Sequence, residues 1–329
     1  MYAHKVAPAI AAGNAVIVKP PMNCPLTLLR ISELVMQTDV PREAVQVVTG
    51  TVPIVGETIC QSPYVDMIAL TGSTRTGKHI SAVAAQTLKT TFMELGGNDV
   101  AIIFPDADID QAASAVIEGR LARGNGQICC AVKRVLVHES ISEAFCKLLK
   151  EKAALLKVGD PLLNDTDLGP LIDEQAAIAV EKAVNKSIEQ GAMLVLGAVR
   201  DKAFYHPTIL SNVGSDNIVF KEEVFGPVVP ITVFRETEEA IRLANDSLYG
   251  LQAAVFTNDI SKAIHVSTEL EVGGVIINSG SAFRAANVPF GGVKLSGKGR
   301  GSIQHTLEEM TELKSIIIHN AFPDNSGKY

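Results

Sequence analysis

Short apolar runs alternate with longer amphipathic segments along most of the chain. The apolar runs are rich in Val and Ile, which is typical of strands buried in a parallel sheet. They predict strands at residues 15–18, 45–48, 67–70, 90–93, 100–104, 135–137, 193–197, 228–234, 252–256 and 273–277. The amphipathic segments predict helices at residues 5–12, 25–36, 54–61, 76–86, 107–121, 140–156, 174–190, 237–245 and 260–270. This alternation predicts an α/β fold built from βα units.

Four stretches depart from the alternation. Residues 160–170 are rich in Pro, Asp and Gly and predict a loop, and residues 291–301 are rich in glycine. Residues 313–319 alternate weakly and predict a terminal strand. Residues 321–329 are polar, contain Pro and Gly, and predict a frayed tail.

Composition narrows the class of protein. The 329 residues are enough for two domains, and a net charge of −7 argues against a nucleic-acid partner. No apolar run approaches the roughly 18 residues of a membrane span, and the N-terminus lacks the order of a signal peptide. Five cysteines without a CxxC pair, and histidines without ligand spacing, argue against a disulfide framework or a metal site. A reducing, cytoplasmic location fits this composition.

The most informative stretch is residues 123–134, Arg-Gly-Asn-Gly-Gln-Ile-Cys-Cys-Ala-Val-Lys-Arg. Glycines interrupt a helical pattern just before two thiols, and a strand follows at once. A cysteine on a tight loop between rigid elements is presented as a nucleophile would be. Neighbours in extended chain point in opposite directions, so one thiol faces a given pocket and Cys130 is interpreted as a buried filler. Buried structural cysteines are common, so the loop alone does not decide.

A second stretch supplies a carboxylate. Met93-Glu94-Leu95-Gly96-Gly97 places Glu94 beside two glycines at the end of a predicted strand. A thiol and a carboxylate in one protein suggest covalent catalysis with a general base.

A possible phosphate site lies at residues 72–78, Gly-Ser-Thr-Arg-Thr-Gly-Lys, between a predicted strand and a helix. The free N–H groups of a helix start suit a phosphate. The stretch nearly matches the P-loop pattern, but His79 stands where Ser or Thr should bind magnesium. A dinucleotide site, a nucleotide-hydrolysing P-loop with Lys78 and a plain turn therefore stay open. The GxGxxG fingerprint is absent, so a dinucleotide would bind in another way.

Three further positions have a functional and a plain interpretation. Lys19 ends a predicted strand, where ligands of open α/β sheets collect, but is equally consistent with a solvated lysine. Residues 222–227, Glu-Glu-Val-Phe-Gly-Pro, could hold a ribose diol and a planar ring, or form an exposed turn. Arg284, beside the stiff turn at residues 287–292, could bind the anionic end of a substrate or belong to a structural loop.

These motifs together resemble the aldehyde dehydrogenase superfamily. The signature motifs are Met93 to Asn98 and Gly126 to Cys129, and five others follow the family order: Lys19-Pro20, Thr71 to Ser73, Leu168 to Pro170, Glu222 to Pro227 and Pro289 to Gly292. The match covers nearly the whole chain. In detail, Cys129 to Val137 and Pro20-Pro21 resemble the branch that acts on lactaldehyde, glyceraldehyde 3-phosphate and similar short polar aldehydes.

The resemblance implies an NAD(P)-dependent oxidation of an aldehyde to an acid. Cys129 would attack the aldehyde, and the resulting thiohemiacetal would lose a hydride to the nicotinamide and become a thioester. Glu94 would activate the water that hydrolyses this thioester. The cofactor, NAD or NADP, would contact Lys19 at the adenosine ribose, Gly72 and Ser73 at the pyrophosphate, and Glu223 and Phe225 at the nicotinamide end.

The resemblance also implies a domain organisation. Residues 1–95 would be the second part of a Rossmann-like cofactor domain, and residues 96–305 an α/β catalytic domain. Residues 306–329 would carry a strand that pairs with a neighbouring subunit in a homo-oligomer, a dimer or tetramer.

The chain departs from the family pattern in two ways. Met22 stands where a glutamate often selects NAD, so NADP is allowed. The family's first part, including the asparagine of the oxyanion hole, has no counterpart in this sequence, and losing one such donor typically costs about 10²–10³ in rate. A truncated homologue with little or no activity is therefore an alternative to the active enzyme.

Overall fold

The structure, a computed structural model, describes residues 2–319. Its α-helices are α1 Ala3–Ala11, α2 Leu26–Val35, α3 Glu57–Gln61, α4 Thr74–Ala85, α5 Ile109–Val116, α6 Ser142–Ala154, α7 Glu174–Glu189, α8 Ile218–Lys221, α9 Thr237–Asn245, α10 Ile260–Glu269 and α11 Ile303–Glu309. Short 3-10 or π turns lie at Arg42–Ala44, Val52–Gly56, Ile117–Ala122, Arg123–Gly126 and Glu139–Ile141. No helix within these residues combines the length and the apolar character that a membrane crossing requires.

The strands include all ten predicted apolar runs and six others that were not predicted. They are β1 Val16–Val18, β2 Val45–Val47, β3 Met67–Thr71, β4 Thr90–Glu94, β5 Val100–Ile103, β6 Arg134–His138, β7 Met193–Leu196, β8 Arg200–Asp201, β9 Phe204–Tyr205, β10 Thr208–Ser211, β11 Val228–Phe234, β12 Tyr249–Gly250, β13 Gln252–Phe256, β14 Gly274–Ile277, β15 Val293–Lys294 and β16 Gly297–Lys298.

The core lies on both faces of a mixed sheet. Within the described residues this sheet has seven strands in the order β14-β13-β5-β6-β11-β10-β7, all parallel except the edge strand β7, which runs antiparallel to β10. Successive residues of a strand enter opposite clusters: Ile102 and Leu136 pack on one face, Ile103 and Val135 on the other. Burial on both faces explains why these strands are continuous apolar runs. The predicted α/β class is confirmed.

A smaller sheet places the carboxylate motif. Strands β3 and β4 pair in parallel, and β16 joins β4 from the other side in antiparallel register, with Gly297 opposite Glu94. Gly297 has φ +135°, and a Cβ there would lie 1.9 Å from the Met93 carbonyl oxygen. Residues 297–298 of the glycine-rich stretch at residues 291–301 therefore form an edge strand of this sheet.

Contacts divide the chain into two compact units, one of residues up to 50 with those from 303 onward, the other of residues 51–302. In the first unit β1 and β2 form a parallel pair, and the Asn14 Nδ2 donates to the Met310 carbonyl at 2.8 Å. The domain division predicted at residues 95 and 305 stays a prediction.

Several expectations need correction. The early strands form two separate sheets, β1-β2 and β3-β4-β16, rather than one. The predicted helix over 107–121 ends as α5 at Val116 and continues as a π turn. Residues 311–319 contain no strand. A terminal strand of this kind forms only where a neighbouring strand supplies hydrogen bonds. The predicted frayed tail at 321–329 lies outside the described residues.

Candidate active site

A left-handed turn presents the thiol loop. Gly124, Asn125 and Gly126 have φ values of 59°, 53° and 70°. A Cβ on Gly126 would lie 2.3 Å from the Gly226 carbonyl oxygen, so the residue must be glycine for this close approach. The backbone before the thiols therefore touches the Glu222–Pro227 loop directly.

Side chains of the same turn fasten the loop to a second motif. The Asn125 Nδ2 donates to the carbonyl oxygens of Gly169 and Pro170, at 2.8 and 3.1 Å. The Gln127 Oε1 accepts from the Ile172 N–H at 2.9 Å. Motifs that lie some 40 residues apart in the sequence thus meet at the thiol loop.

Arg120 is a buried connector that the sequence did not reveal. Its guanidinium donates to three carbonyl oxygens, those of Val228 at 2.6 Å, Val224 at 2.9 Å and Gly126 at 3.2 Å. Burial lowers the pKa of Arg120 to about 9. The only signal in the sequence was a charged residue within an apolar helical pattern.

Cys129 and Cys130 occupy a turn, not extended chain. The Ala131 N–H donates to the Ile128 carbonyl oxygen at 3.1 Å, so the argument that neighbouring side chains point in opposite directions does not apply. Cys130 is buried with Leu251, whereas Cys129 is partly accessible. The accessible thiol is the one predicted as the nucleophile.

The two thiols differ in ionisation. The pKa of Cys129 is lowered from 9.0 to about 7, mainly by a hydrogen bond from the Cys130 thiol, with help from the charge of Lys133. Burial and the Glu94 carboxylate act in the opposite direction. The same hydrogen bond and burial raise the pKa of Cys130. A substantial fraction of Cys129 is therefore thiolate near neutral pH.

Glu94 is the last residue of β4 and is buried. Its Oε2 accepts from the Thr71 hydroxyl at 3.1 Å, and its carbonyl oxygen accepts from the Gly72 N–H at 3.1 Å. The adjoining backbone reaches the thiol loop, because a Cβ on Gly97 would lie 2.7 Å from the Cys129 carbonyl oxygen. The carboxylate and thiol motifs are brought together.

Glu223 joins them. Its Oε1 accepts from the Gly97 N–H at 2.9 Å and forms an ion pair with the Lys133 Nζ at 3.2 Å. The Lys133 Nζ also lies 5.5 Å from the centroid of the Phe225 ring, within cation–π range. Both residues predicted to contact the nicotinamide end therefore face the thiol loop.

The candidate phosphate turn is a helix start. The Ser73 Oγ caps α4 by accepting from the Thr76 N–H at 3.3 Å, and the first turn of α4 contains no acidic residue. Because the helix begins at Thr74, residues 74–77 do not form the loop with which a P-loop wraps a phosphate. The geometry favours an anion at the N-terminus of α4 over a P-loop site at Lys78.

Lys19 lies in the other unit, directly after β1, and its Nζ donates to the Pro20 carbonyl at 3.1 Å. Met22 is exposed.

Arg284 stacks on an aromatic ring. Its guanidinium carbon lies 3.8 Å from the centroid of Phe290. Phe290 is buried beside Cys130, and Ile128 and Cys129 pack against this cluster. One aromatic side chain thus separates the predicted anion-binding arginine from the thiol loop.

Two more charged residues near the thiols were missed. Asp99 is fully buried, and its Oδ1 accepts from the Gln252 N–H at 3.2 Å. Burial raises the pKa of Asp99 well above its usual value. Lys133 has a side chain only 1% exposed. The signal in the sequence was a cation directly before an apolar strand.

Comparisons with known proteins identify the family of the chain. The profile of the "Aldehyde dehydrogenase family" matches residues 1–316. A lactaldehyde dehydrogenase of Methanococcus maripaludis is 41% identical over 96% of this chain and 68% of its own length. A 3-sulfolactaldehyde dehydrogenase of Priestia aryabhattai is 43% identical over 96% of this chain and 66% of its own.

A solved structure is similar throughout the matched part. The glyceraldehyde-3-phosphate dehydrogenase GapN of Methanocaldococcus jannaschii, complexed with NADP, superposes with a TM-score of 0.91 at 43% identity. The match covers 96% of this chain and 69% of that one. The chain thus spans about two thirds of the length of these relatives.

Proposed function

The chain belongs to the aldehyde dehydrogenase family of aldehyde-oxidising oxidoreductases, and from that premise we propose that it converts an aldehyde to a carboxylic acid through Cys129 and Glu94. The observation that carries the proposal is that the carboxylate motif, the thiol loop and the Glu223 loop meet. The backbone of Gly97, three residues after Glu94, lies against the Cys129 loop, and its N–H donates to the Glu223 carboxylate. Nucleophile, base and ribose-binding carboxylate are then within one compact unit.

Cys129 forms the bond to the substrate. Its thiolate attacks the aldehyde carbon and gives a thiohemiacetal, and loss of a hydride leaves a thioester. Cys130 supports this step by donating a hydrogen bond to the Cys129 sulfur.

Glu94 completes the reaction by taking a proton from water that attacks the thioester. Its carboxylate is buried and oriented by the Thr71 hydroxyl, which suits a general base. A free acid is then released and the thiolate is restored.

The residues present fit a nicotinamide dinucleotide. The N-terminus of α4, capped by Ser73 and free of acidic residues in its first turn, suits a diphosphate next to Gly72. Glu223 would hold the nicotinamide ribose beside Phe225, and Lys19 the adenosine ribose. NAD or NADP supplies the hydride acceptor when bound. With Met22 in place of a carboxylate, nothing at that position repels a 2′-phosphate, so NADP is accepted.

The names of the relatives support a short polar aldehyde as substrate. An anionic substituent such as a phosphate or sulfonate would be bound by Arg284, whose guanidinium is already oriented by Phe290.

Assembly into a homo-oligomer is supported by the side chains of the last described residues. Leu313 and residues 316–318 are strongly exposed although they are apolar. A second copy of the chain would bury them. A cytoplasmic location stays a prediction from composition.

The proposal is tested by NAD(P)H formation from a panel of short aldehydes. We expect activity from the chain, loss of roughly 10³-fold or more in Cys129→Ser, and retention of most activity in Cys130→Ser, the matched control. A folded chain that forms no NAD(P)H with either cofactor contradicts the proposal and favours an inactive homologue.

A further inference from the structure

We propose that Lys133 is the positioning residue of this site: it joins the Cys129 loop to the Glu223 carboxylate and places a buried positive charge against the backbone that carries the Cys129 thiol. The inference rests on the proposed roles of Cys129 and Glu223, and it assigns a task to a residue that neither attacks the substrate nor serves as the base.

The contacts of Lys133 join two parts of the site. The Nζ donates to the carbonyl oxygens of Ile128 at 3.0 Å and Cys129 at 2.5 Å, and it pairs with the Glu223 Oε1 at 3.2 Å. The first two contacts are hydrogen bonds and the third is an ion pair. Two of the contacts fix the backbone that carries the nucleophile, and the third fixes the carboxylate predicted to hold the nicotinamide ribose.

Burial makes this charge consequential. The side chain of Lys133 is 1% exposed and that of Glu223 is 17% exposed. An ammonium so far from water is stable only with anions or carbonyl dipoles around it, and it favours any further anion that forms nearby. The Cys129 thiolate is such an anion.

The other ionisable groups around the thiol do not supply this positive charge. Those that act on Cys129 or face Lys133 are Cys130, Glu94, Asp99 and Glu223. Of these, Glu94 opposes ionisation of the thiol, and Cys130 acts through a hydrogen bond. Burial raises the pKa of Asp99, and a carboxyl group supplies no positive charge in either protonation state.

The next residue provides a matched control. Arg134 is also a buried cation, but its guanidinium donates to the carbonyl oxygens of Asn98, Leu243 and Ala244, at 2.9, 3.0 and 2.8 Å. None of these contacts reaches the thiol loop or Glu223. Neutralising Arg134 therefore removes a buried charge without removing the proposed link.

The experiment measures the alkylation rate of Cys129 by iodoacetamide against pH, without aldehyde or cofactor. Tandem mass spectrometry separates Cys129 from Cys130, which share a peptide. The chain itself should show a midpoint near pH 7. Lys133→Met and Lys133→Gln should move the midpoint upward, so that alkylation at pH 7 slows about tenfold for each unit of movement.

Lys133→Gln retains two N–H donors for the carbonyl oxygens. It serves as the test variant if Lys133→Met does not fold. Lys133→Arg keeps the charge and should retain the midpoint of the parent. A midpoint unchanged in folded Lys133→Gln, as judged by circular dichroism, overturns the inference. An equal upward movement in Arg134→Gln also overturns it, because the effect would then follow from any lost buried cation.

Failure of the inference is distinguishable from failure of the proposed function, since alkylation needs no turnover. A chain that oxidises aldehydes but shows no movement of the midpoint refutes only the role of Lys133. A chain that oxidises none, with the midpoint moved in Lys133→Gln, refutes the proposed reaction and leaves the activation of the thiol in place.

Discussion

Cys129 and Cys130 show how one residue step decides reactivity. The two thiols share a turn. Cys130 keeps its proton and donates a hydrogen bond to the Cys129 sulfur, which lowers the pKa of Cys129 and raises the pKa of Cys130. Only Cys129 is accessible enough to meet a substrate. The sequence correctly indicated Cys130 as the buried thiol, although through an assumption of extended backbone that is wrong.

Arg284 allows a prediction about substrate charge. Its guanidinium stacks 3.8 Å above Phe290, next to the cluster that includes Cys129. We expect Arg284→Ala to raise KM for aldehydes that carry a phosphate or carboxylate about tenfold or more, since a charge-assisted hydrogen bond contributes about 1.5–3 kcal/mol. Steady-state kinetics with charged and uncharged aldehydes measure this.

The comparison between substrates is the internal control, because loss of packing on Phe290 would affect both classes. Arg284→Lys keeps the charge and should therefore raise KM for charged aldehydes less than Arg284→Ala does. Equal increases for charged and uncharged aldehydes would count against anion binding by Arg284.

Residues defined by distant partners escaped sequence reasoning. Arg120 acts on carbonyl oxygens more than 100 residues away, at Val224 and Val228, and nothing local marks that geometry. Glu94 and Cys129 could be found because glycines flank them and because their motifs resemble those of a family. Lys133 stood within such a motif, yet its task depends on Glu223, which only the fold brings near.

At the scale of elements, apolar runs predicted the central strands well because burial on both faces leaves an unbroken signal. Strands β5, β6, β11 and β13 all follow this rule. Strand β10 was missed, since it is only Thr208–Ser211 and follows a proline. The antiparallel direction of β7 was not predictable, because its apolar pattern is the same in either direction.

Gly126 tests how the thiol loop is built. The residue has φ +70°, and an added Cβ would lie 2.3 Å from the Gly226 carbonyl oxygen. We expect Gly126→Ala to lower the free energy of unfolding by about 2–5 kcal/mol, the sum of backbone strain and overpacking. Chemical denaturation measures the change.

Gly191→Ala is the matched control. Gly191 also has a positive φ, +97°, but no atom lies within 4 Å of an added Cβ. Its loss should be limited to strain of about 1–2 kcal/mol. Similar losses in the two variants would show that the close approach of Gly126 to Gly226 does not constrain the loop.

For the molecule as a whole, the unit to which each predicted site residue belongs matters most. Cys129, Glu94, Glu223 and Arg284 belong to the unit of residues 51–302, whereas Lys19 belongs to the other. The proposed nucleophile and base therefore belong to a single compact unit. We expect formation of the proposed acyl-enzyme to depend on contacts within that unit.

The most direct test of the central claim is to trap that acyl-enzyme. In Glu94→Gln the thioester should form but not hydrolyse, so aldehyde with NAD(P) should give about one NAD(P)H per chain. Acid quenching and tandem mass spectrometry then locate the acyl group. We predict it on Cys129. An acyl group on Cys130, or steady NAD(P)H formation with Cys129 unmodified, would contradict the account.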